Sequence, residues 1–86
     1  MNQRSGPTVE YIQIHREEIG SQIRAFRELK GYSQDELAEI MEVHRSTISK
    51  IETGKFSITI DYLVRFSWYL NFDLALIKSK NGGTRS

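Results

Sequence analysis

Eighty-six residues carry 12 Lys and Arg against 11 Asp and Glu, a formal net charge of +1, and no cysteine. That length makes one small domain, whose single core is marginal without efficient helix packing or a partner. The missing cysteines exclude a disulfide framework, a thiolate nucleophile and a cysteine metal site. The apolar runs are too short to span a bilayer and the N-terminus has no apolar signal core, so a soluble, cytoplasmic protein without a membrane partner is expected.

In chain order, residues 1–8 are polar and include Gly6-Pro7, which reads as a flexible N-terminal arm. The run from Val9 to His15 is open between two readings. Val, Tyr, Ile, Gln and Ile suit a short strand, yet Ile12, Ile19 and Ile23 also continue one helical stripe. From about Arg16 to Lys30 the pattern is helical, with Ile19, Ile23 and Phe26 on one face and Arg24 and Glu28 paired at i,i+4. Gly31 stands where a helix ends.

The segment Ser33–Glu52 reads as two short helices joined by a tight turn. Ser33 and Glu36 have capping-box spacing. Behind them Leu37, Ala38, Ile40 and Met41 form an apolar stripe, and Val43, Ile48 and Ile51 face the same core. At 100° per residue, Ser46, Ser49, Lys50 and Thr53 point the opposite way, with Arg45 at the edge. Short hydroxyls and long cations without a bulky hydrophobe suit a polar, anionic groove. Charge distribution agrees, because Arg45, Lys50 and Lys55 against Glu52 make residues 44–55 locally basic. Gly54 closes the second helix. Thr59 caps another, with Asp61 in its first turn, which runs to about Leu70 and is expected to bury Ile60, Leu63, Val64, Phe66 and Leu70. Trp68 reads as a packed core or interface residue. In 72–78, Asp73 could cap a fifth helix, but Phe72, Leu74 and Leu76 alternate like a strand, and strand is the preferred reading. Residues 79–86 read as a flexible tail, which leaves 9–78 as the folded domain.

Gly31-Tyr-Ser-Gln-Asp-Glu-Leu-Ala-Glu39 followed by Arg45-Ser-Thr-Ile-Ser-Lys-Ile-Glu-Thr-Gly-Lys55 resembles the Cro/CI (Xre-type) helix-turn-helix family, over roughly residues 17–72. The resemblance implies an all-α, four- to five-helix, lambda-repressor-like DNA-binding domain, here with a short C-terminal strand like that of HipB-like antitoxins. It implies contacts to double-stranded DNA from Ser33 and Gln34 at the start of the second helix. Further contacts fall to His44, Arg45, Ser46, Thr47, Ser49 and Lys50 around the recognition helix, and to Thr53 and Lys55 beyond it. Arg45, Ser46, Ser49 and Lys50 are the candidates for base edges, since Arg and Lys read guanine N7 and O6 and hydroxyls read either partner. Gln34, Thr53 and Lys55 are candidates for phosphates, which set register. The family also pairs the positions of Arg27 and Glu52 as a structural ion pair; a free phosphate contact is the competing role for Arg27. Two positions depart from the pattern, because the usual turn glycine is Glu42 and the usual Ser or Thr cap is His44.

Enzyme chemistry finds no footing. His15 and His44 are isolated, and there is no Ser/His/Asp set at a recognisable spacing and no P-loop. No metal or cofactor is expected. The expectation is therefore a sequence-specific repressor binding a palindromic operator as a homodimer, with Trp68, Phe72, Leu74 and Leu76 at the dimer contact. The alternative is an antitoxin that neutralises a toxin protein and autoregulates its operon.

Overall fold

The computed structural model describes residues 6–79 and is built from four α-helices. Of the arm expected over 1–8 and the tail over 79–86, residues 1–5 and 80–86 lie outside the described residues. Helix α1, Val9–Lys30, settles the open N-terminal run as helix. Thr8 caps it, its hydroxyl accepting from the Tyr11 N–H at 3.0 Å, and Glu10 in the first turn complements the dipole. Its other end closes on Gly31 at φ 82°, with the Tyr32 N–H reaching back to the Arg27 carbonyl.

Helix α2, Gln34–Met41, opens on the complete capping box: Ser33 Oγ accepts from the Glu36 N–H and the Glu36 carboxylate accepts from the Ser33 N–H. Helix α3, Arg45–Glu52, packs against both α2 and α1. Helix α4, Ile60–Leu70, starts at the Thr59 cap, ends at Asn71 in the left-handed region, and packs against α1. The core is Ile23 from α1, Leu37, Ala38 and Met41 from α2, Ile48 and Ile51 from α3, and Phe66 and Leu70 from α4. Phe26 and Phe72 stack beside it with ring centroids 4.9 Å apart.

The closest approach is between backbones. Gly20 of α1 lies against the carbonyls of Ile51 and Glu52, so close that a methyl group there would sit 2.8 Å from the Glu52 oxygen. Higher up, Gly54 at φ 77° tucks under α1, where the Gln13 amide donates to its carbonyl at 3.0 Å. These two contacts set α3 and the turn after it on α1.

Two expectations are corrected, and a third is narrowed. Residues 72–79 form no strand, and no fifth helix either. A strand needs a ladder partner, and the one candidate in the chain, residues 9–15, is taken up by α1. On α4, Ile60 and Val64 are exposed, because Phe66 and Leu70 turn the opposite face inward; Ile40 on α2 is exposed as well. Trp68 is 81% exposed and belongs to the surface of this chain, outside the core.

Candidate nucleic-acid interface

The site is the outer face of α3 with the parts of α2 and the following loop that flank it. Ile48, Ile51 and Glu52 are buried. Arg45, Ser46 and Lys50 are exposed on the opposite face, and Thr47 and Ser49 are half-buried at its edges. Arg45, Ser46, Ser49 and Lys50 line one shallow hollow of about 300 Å³. The structure thus brings together the four residues singled out for base edges.

The flanking residues are placed less uniformly. Ser33 accepts the cap bond through one oxygen lone pair, which leaves the hydroxyl proton available for an acceptor. Thr53 donates its hydroxyl proton back to the Ser49 carbonyl at 2.8 Å, so that donor is already engaged. Lys55 is exposed just beyond Gly54, and its backbone N–H bonds to the Lys50 carbonyl. His44 is exposed and stands at the N-cap of α3 without a side-chain cap bond. Glu42 holds the left-handed turn at φ 58°.

Arg27 and Glu52 form a buried, bidentate pair. Arg27 Nε donates at 2.6 Å and Nη2 at 3.0 Å to the two carboxylate oxygens, while Nη1 donates to the Tyr32 carbonyl. The guanidinium is therefore inside the fold, 7% exposed, and is not presented to a phosphate. Donating hydrogen bonds to Glu52 raises the Arg27 pKa further above the ordinary arginine range despite the opposing effect of burial, with the charge of Glu52 adding to it. A raised arginine pKa means that the cation contributes stability fully below its unfolded value and loses it only above the folded one, so the pair persists through the neutral and alkaline range. Gln34 completes this cluster, its amide donating to Glu52 at 3.0 Å. One amide N–H remains for a phosphate.

Three residues of the site carry no mark in the reading from sequence. Gln13 holds the end of α3 through Gly54. Arg65 of α4 donates to the Met41 carbonyl at the end of α2, bracing the Glu42 turn, and lies over the Tyr62 ring at 5.4 Å. Asp35 of α2 meets Arg45, with Nε and Oδ1 3.5 Å apart. Nothing in the spacing of Gln13, Arg65 or Asp35 announces a partner 41, 24 or 10 residues away. Among the described residues there is no cluster of His, Cys, Asp and Glu able to hold a metal ion, and no helix is long and apolar enough to cross a membrane.

Residues 23–77 match the family model described as helix-turn-helix. An HTH-type transcriptional regulatory protein of Pyrococcus furiosus is 37% identical over 59 residues, 69% of this chain and 18% of that protein. A counterpart in Pyrococcus abyssi is 36% identical over 62 residues, 72% of this chain and 19% of that protein. Control protein C.SmaI of Serratia marcescens is 27% identical over 67 residues, covering 78% of this chain and 80% of its own length. The chain therefore spans under a fifth of the two archaeal regulators but most of the bacterial control protein. No solved structure gives a significant match.

Proposed function

Because the chain belongs to the Cro/CI (Xre-type) helix-turn-helix family, we propose that it is a transcriptional regulator, a repressor that binds a palindromic operator as a homodimer. The observation that carries this reading is the division of α3 into a face that folds and a face that does not. Ile48, Ile51 and Glu52 hold the helix to α1 and α2, and Arg45, Ser46, Ser49 and Lys50 line a shallow hollow on the other side. Cations and hydroxyls on the exposed face of a helix braced by a second helix match the chemistry of base edges in the major groove. Ser33, Gln34 and Lys55 flank that face as donors for phosphates, which position the helix without reading sequence. Two copies related by a two-fold axis would place two α3 helices in successive major grooves, about 34 Å apart, and occlude the promoter.

The apolar surface supports the dimer. Ile60, Val64 and Trp68 follow at i, i+4 and i+8 along α4 and are exposed, and Leu76 and Ile77 are nearly fully so. Phe72 is half-buried against Phe26 within its own chain, and Leu74 and Leu76 border a groove with Ile19, Phe26 and Leu63, so the proposed contact centres on the Ile60, Val64 and Trp68 stripe with Leu74 and Leu76 as separate members. Apolar side chains gathered in this way usually mark an interface.

Selection from randomised duplexes tests the reading. The wild-type chain should enrich a two-fold symmetric site with half-sites one helical turn apart. Lys50→Ala should change the preference at particular base pairs, each worth roughly 1–3 kcal/mol. An unchanged selected site in Lys50→Ala, or no enriched site at all, would overturn it.

A further inference from the structure

The ion pair between Arg45 and Asp35 has no evident role in holding the fold. Both side chains are well exposed, 64% and 78%, and pairs of that kind contribute little to stability in water. The backbone of Asp35 is placed firmly. It follows Gln34, whose amide is bonded to the buried Glu52, and it sits inside the Ser33/Glu36 capping box that fixes the first turn of α2. Arg45 is the first residue of α3, and its long side chain at the edge of the hollow has many rotamers to choose from.

We propose that Asp35 is a positioning residue for base reading: it holds the Nε side of the Arg45 guanidinium so that the Nη1/Nη2 end faces a guanine. The inference rests on the reading of α3 as the DNA-reading helix. A guanidinium carries five N–H donors in a planar fork. With Nε turned to Asp35 Oδ1, the two terminal nitrogens remain as a pair, which matches the O6 and N7 acceptors of guanine. The exposed contact is weak in solution, and docking against DNA, which displaces part of its hydration, strengthens it. The carboxylate also acts against the wrong partner. Should Arg45 swing to a phosphate, Asp35 would be left uncovered in an anionic groove, so random DNA is disfavoured relative to a site with the right guanine. Position and repulsion together turn a general cation into a base reader.

The experiment compares the full chain with Asp35→Asn, Arg45→Ala and the double variant. Its readouts are selection from randomised duplexes and the salt dependence of binding to a random-sequence duplex. Asparagine keeps the size of the side chain, and thermal melting confirms that each variant is folded. The wild type should prefer guanine at one position of each half-site, and Arg45→Ala should abolish that preference. Asp35→Asn should weaken it about tenfold at that position alone, with random-duplex binding rising and its salt slope steepening by about one ion. In the Arg45→Ala background, Asp35→Asn should change nothing further at that position. A guanine preference retained in Asp35→Asn, or an equal effect with and without Arg45, overturns the positioning role. A selected site left untouched by Arg45→Ala overturns the reading by Arg45 itself, a failure distinguishable from the first.

Discussion

Glu52 accepts from Arg27 twice and from Gln34 once, so one buried carboxylate joins three helices. A buried charge is tolerated only when it is paired and hydrogen-bonded, and removing one partner costs more than the pair contributes. The Arg27–Glu52 partnership was legible through the family resemblance. The part played by Gln34 was not, because an exposed amide at a helix start reads equally well as a phosphate contact. Gly20 is the other residue on which the α1–α3 crossing turns. A glycine inside a helical pattern costs about 1 kcal/mol relative to alanine, and here the cost is offset by an approach that no other residue allows. Gly20→Ala should lower stability by roughly 1–3 kcal/mol, as overpacking does, and so the melting temperature by on the order of 10 °C. Thermal melting followed by circular dichroism measures this. An unchanged midpoint would mean that α1 and α3 can separate freely at this point.

The turn between α2 and α3 is closed by two unfavourable residues. Glu42 occupies the left-handed region, where a non-glycine residue is strained, and His44 leaves the first N–H groups of α3 without a side-chain acceptor. Arg65 reaches across from α4 to the Met41 carbonyl and holds the joint from outside. Glu42→Gly and His44→Ser should therefore each stabilise the protein, by about 1 kcal/mol apiece, with the double variant near the sum in urea melts. A Glu42→Gly protein no more stable than the wild type would show that the Arg65 brace already relieves the turn. Helix boundaries at Gly31, Ser33, Gly54 and Thr59 were legible because a cap is written in three or four adjacent residues. Residues 9–15 and 72–78 were not, since each depends on a remote partner. The first is held by Gln13 on Gly54, and the second lacks the strand that would pair with it.

At the scale of the molecule, α4 is apolar on two sides. Phe66 and Leu70 face the core while Ile60, Val64 and Trp68 face outward. Periodicity cannot say which side of such a helix is inside, which is why Ile60 and Val64 were expected in the core. The outward stripe with Leu76 is the proposed self-association surface, and a two-fold axis through it would cover both copies at once. Trp68→Asp should leave the helical content intact, because the side chain is exposed, yet turn the dimer into a monomer in sedimentation and weaken binding to a two-half-site duplex. A Trp68→Asp protein that still sediments as a dimer would place the contact on another face.

The separation of α3 into an inner and an outer face also bears on how such a protein changes over generations. The side chains at 45, 46 and 50 add almost nothing to the core, so under the proposed reading their replacement would alter what is recognised at little thermodynamic risk. The residues that would make a replacement dangerous, Gly20, Arg27, Ile48, Ile51 and Glu52, are all on the far side of the same short helix or beneath it. If the outer face of α3 reads DNA as proposed, a gene copy of this chain can drift to a new target one outward residue at a time while remaining folded at every step.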